Sequence, residues 1–248
     1  MARCRAWPRS SGVQRGDRVV VVGHNSIPWL IHYLAALGLG AVIASANNRL
    51  NANQFAQQVS ILEATLVLHD DNHTEIVSGV SDVPITNLFH ELPEERDGET
   101  HLETYMPALV SFTSGTTGTP KGATLSQGAL AEASWAFVQV MHTDRDDSTL
   151  VVVPLVHNTG VIDQFGHMLM VGGRTDLLQK YRTTLAIKAL TQRPTTYLAA
   201  VPSIHRLIML AERADQALSD LRILLYGGSP MPRTWIEEHL TRWPSIQL

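Results

Sequence analysis

The 248-residue chain is poor in cysteine, lysine and aromatic residues: one Cys (Cys4), three Lys against 16 Arg, and 6% Phe, Trp and Tyr. A single thiol excludes an internal disulfide and fits a reducing, cytoplasmic setting. A net charge of −4 and a pI near 6.2 leave no electrostatic footprint for nucleic acid. The first 18 residues hold Arg3, Arg5, Arg9, Arg15 and Arg18 but no apolar stretch, which argues against a secretory signal. Such a basic, acid-poor start is shared by organellar transit peptides and by unstructured N-termini, and the second reading is taken. No Pro-, Gly- or Ser-rich linker divides the chain, and no repeat of roughly 20 to 50 residues stands out. One apolar run, residues 29–46, has only His32 and Ser45 as clearly polar members and reaches the length of a membrane span. Gly38 and Gly40 interrupt it, and Ala41-Val42-Ile43-Ala44 reads as a buried strand. Helix, turn and strand explain the run without a span.

What the chain has is alternation. Apolar runs at 19–22, 41–44, 65–68, 108–112, 149–153, 174–178, 196–201 and 222–226 read as strands. Helical segments are expected at 28–37, 51–62, 126–140, 160–171, 183–192 and 202–212, with Asn51 and Ser126 as caps. Strands alternating with helices predict an α/β fold of stacked βαβ units with mostly parallel sheets. Between 70 and 105 the pattern weakens and acids cluster, which suggests a surface excursion and a subdomain seam near 91–107. The last strand, at 222–226, would be an exposed edge with uncovered apolar faces.

The most informative residues are Thr113, Ser114, Gly115, Thr116, Thr117, Gly118, Thr119, Pro120, Lys121 and Gly122. Glycines let successive backbone N–H groups converge on a ligand. Hydroxyls add donors for phosphate oxygens, and Lys121, one of only three lysines, adds a compact positive charge. This composition predicts a phosphate cradle. It is not a P-loop, which needs four residues between its first Gly and a Gly-Lys-Ser/Thr. An apolar run before it and the Ser126-capped segment after it predict the order strand, irregular loop, helix.

The decapeptide with Phe112 resembles the signature loop of the adenylate-forming superfamily, which includes acyl-CoA synthetases, aryl-CoA ligases, luciferases and nonribosomal adenylation domains. Three weaker resemblances stand in the family's order. They are Gly16-Asp17-Arg18-Val19 with Asn25-Ser26, Val153 to Gly160 around Pro154-Leu155-Val156-His157-Asn158, and Leu221-Arg222 to Tyr226-Gly227-Gly228-Ser229-Pro230. Val156 stands where the family usually has an aromatic residue.

The resemblance implies an acid–thiol ligase. A carboxylic acid and ATP give an acyl-adenylate and pyrophosphate, and the acyl group passes to coenzyme A. It implies that residues 113–122 hold the ATP phosphates, that Gly227, Gly228, Ser229 and Pro230 line the nucleotide, and that His157 and Asn158 border the acyl pocket. It further implies that residues 1–248 form a partial AMP-binding domain, the incomplete large N-terminal domain of such an enzyme. Family members are roughly twice as long. The family's Mg²⁺-binding glutamate, ribose-holding aspartate and small C-terminal domain with its catalytic lysine lie beyond the Gly-Gly-Ser-Pro segment, and no match to them stands before Leu248. The expectation is therefore a chain inactive alone, with no catalytic residue assigned and a C-terminal half as missing partner. Asp163 and His167, one helical turn apart, have metal-ligand spacing with His157, but such pairs are commonly surface polar contacts, so no metal site is predicted. Two other readings stay open: a non-catalytic nucleotide-binding or interaction fragment, and a small phosphotransferase with a convergent Thr/Gly loop. No Gly-x-Ser-x-Gly elbow supports a hydrolase.

Overall fold

The computed structural model describes residues 12–90, 101–112 and 121–248 in full, and the backbone alone at 4–6, 94–96 and 113. The chain forms two compact units, Met1–Glu132 and Ala133–Leu248.

In the first unit β1 (Cys4–Ala6) is separate from the main sheet and pairs antiparallel with a later strand at Glu94–Arg96. The main sheet contains β2 (Arg18–Val22), β3 (Val42–Ser45), β4 (Leu66–His69), β5 (Ile85–Asn87), β7 (Pro107–Thr113) and β8 (Lys121–Ser126), with Glu94–Arg96 counted as β6. Their order is β5-β4-β2-β3-β7-β8, parallel throughout except that β8 runs antiparallel to β7. Val19 to Val22, Val42 to Ala44 and Leu66 to Leu68 are all buried, the signature of parallel strands covered on both faces.

Helix α1 (Ile27–Leu39) starts where Ser26 Oγ accepts from the Trp29 N–H at 3.2 Å, with Pro28 in the first turn. It stops at Gly40, whose φ of 77° places it in the left-handed region that ends helices. At about 1.5 Å per residue its 13 residues span about 20 Å, short of the ~30 Å hydrocarbon core of a bilayer. Among the described residues no helix is long and apolar enough to cross a membrane. Helix α2 (Ala52–Ile61) opens with a reciprocal cap: Asn51 Oδ1 accepts from the Gln54 N–H at 2.9 Å, and Gln54 Oε1 accepts from the Asn51 N–H at 3.1 Å. Its Phe55 and Val59 pack on Val20, Val22, Ala44, Val67 and Val110 from four adjacent strands.

The weakly patterned stretch after β4 holds a 3₁₀ turn (Asp71–His73), α3 (Thr74–Val77) and β5. Residues 91–107, where the sequence suggested a seam, lie between β5 and β7, two strands of one sheet. The two compact units meet in the chain within α4 (Gln127–Met141). Ser126 caps this helix as expected, its Oγ accepting from the Ala129 N–H at 3.1 Å.

The second unit is a four-stranded parallel sheet of β9 (Ser148–Val151), β10 (Arg174–Leu177), β11 (Tyr197–Ala200) and β12 (Ile223–Tyr226), in the order β10-β9-β11-β12. Its connections are a π-helical segment (Thr159–Gly166) running into α5 (His167–Val171), then α6 (Thr183–Gln192), α7 (Pro202–Met209) and α8 (Ala214–Ala217); α9 (Arg233–Arg242) follows β12. Asp147, just before β9, ties the strand starts together. Its carboxylate accepts from Thr196 Oγ1 at 2.6 Å and from the Arg222 guanidinium at 2.8 Å. Burial pushes the Asp147 carboxyl up, but these bonds and the Asp144 N–H hold it below the ordinary range.

The expected bare edge at β12 is corrected. Gln247 bridges Ile223 in parallel register; its carbonyl accepts from Leu224 N–H and its N–H donates to Arg222, both at 2.9 Å. Strand-like pairing thus continues along β12 and satisfies part of that edge.

Candidate functional site

The Thr/Gly segment does not lead directly into a helix. Thr113 ends β7, and Lys121 and Gly122 open β8, with Thr113 opposite Lys121 and Phe112 opposite Gly122. The strands on either side of the segment thus pair antiparallel, and the helix begins only at Gln127. The expected order of strand, loop, helix is corrected to strand, connecting segment, strand, helix. Ser114, Gly115, Thr116, Thr117, Gly118, Thr119 and Pro120 lie outside the described residues. What brackets them is described: β7 is parallel to β3, so the segment leaves the sheet at the carboxyl end of its parallel strands. That is the end where open α/β sheets bind ligands.

Gly122 has a structural reason to be glycine. A Cβ there would lie 2.6 Å from Val110 Cγ1 on the paired strand, so it permits close strand approach in extended backbone. Lys121 is exposed at the first position of β8.

The remaining candidates belong to the second unit. His157 and Asn158 follow β9 and are exposed. The His157 N–H donates to the Pro154 carbonyl at 3.0 Å, and its carbonyl accepts from Gly160 at 2.9 Å, so a tight turn fixes their backbone. Gly227, Gly228, Ser229 and Pro230 follow β12 and are also exposed; Gly228 has a φ of 79°. Both segments leave the carboxyl end of the same parallel sheet. β9 sends its chain to β10 on one side, and β11 sends its chain to β12 on the other. This reversal makes the carboxyl ends of β9 and β11 a topological switch point, where open α/β sheets bind ligands. Val201, the residue after β11, lies close to Gly228: a Cβ on that glycine would sit 3.3 Å from Val201 Cγ1.

His167 is a core histidine. It is fully buried, with Nδ1 donating to the Asp163 carbonyl at 3.2 Å. Because a carbonyl only accepts, Nε2 carries the lone pair and accepts from Thr143 Oγ1 at 2.6 Å. Both nitrogens are used, and burial lowers its pKa. Asp163 is half-buried on the π-helical segment; burial pushes its carboxyl up, opposed by a hydrogen bond from Thr159. The geometry of the expected helix at 160–171 is thus π first and α after, a distortion common near functional sites.

By sequence, 113–122 offers hydroxyls, glycines and one lysine to phosphate, and in the second unit Gly227 and Gly228 offer exposed backbone; none of these residues is a carboxylate that could hold Mg²⁺.

Comparison with known proteins agrees with this architecture. Over 94% of the chain, the fold matches the inhibitor-bound N-terminal domain of FACL13 from Mycobacterium tuberculosis (TM-score 0.84, 21% identity, 62% of that chain). It also matches ATP-bound MatB from Rhodopseudomonas palustris (TM-score 0.83, 23% identity, 94% of this chain and 49% of that one). These likenesses are of fold: a mixed α/β protein with parallel sheets, like the N-terminal domains of adenylate-forming CoA ligases. A family model described as AMP-binding enzyme matches residues 3–248, and the chain belongs to that family. Feruloyl-CoA synthase of Amycolatopsis sp. is 31% identical over 98% of this chain and 50% of its own length. Indoleacetate–CoA ligase of Aromatoleum aromaticum is 29% identical over 97% of this chain and 51% of its own. A long-chain-fatty-acid–CoA ligase of Thermus thermophilus is 30% identical over 92% and 46%. The chain spans about half the length of the curated relatives it matches.

Proposed function

We propose that residues 1–248 supply the ATP-phosphate and acid-binding parts of an AMP-forming acid–CoA ligase acting in the cytoplasm. The observation that supports this reading is that the Thr/Gly segment joins β7, whose carboxyl end lies with those of the parallel strands, to β8, which Lys121 opens. In this reading the segment holds the β- and γ-phosphates, and Gly227 to Pro230 line the nucleotide. The acid's carboxylate oxygen bonds to the α-phosphorus while the α–β bond breaks and pyrophosphate leaves. Negative charge builds on the phosphates, so fixed donors and one ammonium lower the barrier by positioning and electrostatics. Attack of the coenzyme A thiolate on the acyl carbonyl then expels AMP.

His157 and Asn158 would border the acid. Relatives named for feruloyl, indoleacetate and succinylbenzoate substrates favour an aromatic carboxylic acid. These residues are proposed to bind ATP and the acid, and turnover is assigned to the whole ligase.

The test is thermal stability with ATP, ADP and AMP, each with and without aromatic and long-chain acids, followed by product analysis. ATP stabilising most, with an added increment from aromatic acids, is the expected result. Release of ADP and inorganic phosphate would mark the convergent phosphotransferase instead. ATP without effect would leave only a non-nucleotide module.

A further inference from the structure

The first unit gathers three metal-competent side chains at one point. His24 lies two residues beyond β2, Asp70 directly follows β4, and His73 ends the 3₁₀ turn after it. Taking one donor atom from each residue, the three atoms lie within 4.8 Å of one another. His24 Nδ1 is 3.4 Å from Asp70 Oδ2, and His73 Nδ1 hydrogen-bonds to Asp70 Oδ1. The imidazole centroids are 4.8 Å apart. The Asp70 and His73 side chains are 4% and 5% exposed and that of His24 is 18% exposed, so two donors are fixed below the surface and the third is reachable from solvent.

The fold puts this trio where a ligand site is expected. The connection from β2 goes through α1 to β3 on one side, and that from β4 goes to β5 on the other. The neighbouring carboxyl ends of β2 and β4, in register at Val22 and His69, therefore diverge at a topological switch point. Asp70 is held there by backbone. Its Oδ2 accepts from the His24 N–H at 2.8 Å and its Oδ1 from the Asn72 N–H at 3.0 Å. Oδ2 can still offer a lone pair, and Oδ1 regains one when the His73 proton is displaced. Gly23 keeps the approach open, since a Cβ there would sit 3.4 Å from Asp70 Oδ2 and 3.1 Å from Leu88 Cδ1.

We propose that His24, Asp70 and His73 form a binding site for a divalent transition metal, with zinc as the ion this donor set selects. Two imidazoles and one carboxylate suit zinc or cobalt, whereas Mg²⁺ takes oxygen donors in octahedral geometry. Tetrahedral bonds of about 2.0–2.1 Å put donor atoms about 3.3–3.4 Å apart, the separation already present between His24 and Asp70. Binding displaces the proton between His73 Nδ1 and Asp70; in the neutral ring it moves to Nε2, which leaves the Nδ1 lone pair for the metal. Water fills the fourth position. The ion joins the loops after β2 and β4 and so fastens the sheet at its switch point. This inference rests on the first unit alone and does not need the nucleotide reading.

The test uses the full chain, stripped with EDTA and titrated with ZnCl₂ against a chromophoric chelator, with Co²⁺ as spectroscopic substitute. One equivalent of Zn²⁺ should bind and raise the melting temperature, and Co²⁺ should give the visible bands of a tetrahedral site. His24→Ala and His73→Ala should each weaken binding by more than about tenfold, the loss caused by removing a mere supporting partner, and remove the cobalt bands. His24→Ala retains the backbone N–H that holds Asp70, so its circular dichroism should match that of the parent chain. His101→Ala, at an exposed histidine, should change nothing. Absence of stoichiometric binding, or equal binding by the parent, His24→Ala and His73→Ala chains, would overturn the proposal.

Discussion

Gly122 is a residue of the Thr/Gly motif that packing alone explains. Its hydrogen is all that fits against Val110 across the β7–β8 pair. Gly122→Ala should destabilise the first unit by about 1–3 kcal/mol, the usual cost of overpacking. Adding Val110→Ala should recover part of the loss, as read from denaturation midpoints. No recovery would mean that Val110 is not the obstacle. Buried histidines give a second residue-scale expectation. Burial pushes His32 down to about 4 against the Leu88 carbonyl bond, and His205 down to about 4 against that of Leu225. The unfolded chain binds these protons near pH 6.5 and the native chain near pH 4. The stabilising effect is therefore complete above 6.5 and lost as pH falls through that window, by about 3 kcal/mol apiece at pH 4. Guanidinium unfolding at pH 7, 5.5 and 4.5 should show falling stability. A flat profile would contradict the neutral burial of both rings.

At the scale of elements, local chemistry makes some boundaries readable and hides others. The Asn51 cap and the Gly40 stop sit at their helix ends because each satisfies a terminal backbone group. Asn51→Ala should cost about 0.5–2 kcal/mol, seen as faster hydrogen exchange of α2 amides; unchanged exchange would mean that the cap contributes nothing. The run 183–192 was legible as a helix, and the buried valines of β2 as a strand, because burial on both faces leaves an unbroken apolar run. Strand β8 was not legible. It is an edge strand whose first four residues, Lys121 to Thr124, are exposed, and pairing with β7 rather than its own composition makes it a strand. The π-helical geometry of Thr159–Gly166 was hidden for a similar reason, since periodicity marks a helix without fixing its hydrogen-bond pattern.

For the whole molecule, two parallel sheets each present their candidate residues at the carboxyl ends of strands. The Thr/Gly segment, His157 and Gly227 to Pro230 could be named from sequence because each is a contiguous motif. The trio of His24, Asp70 and His73 could not, because only pairing of β2 with β4 brings residues 46 positions apart together. Core packing shares that dependence on fold. Phe55 is fully buried against strands from across the sheet, and Phe55→Ala should cost about 3–5 kcal/mol.

If residues 113–122 grip the phosphates of ATP, calorimetric titration of ATP and AMP into the chain and its Lys121→Ala variant will tell the two nucleotides apart. Loss of a charge-assisted contact of about 1.5–3 kcal/mol should weaken ATP binding by roughly 10- to 150-fold while AMP, which lacks the β- and γ-phosphates, changes little. Equal ATP affinity in the two chains, or no ATP binding by the parent chain, would contradict that grip.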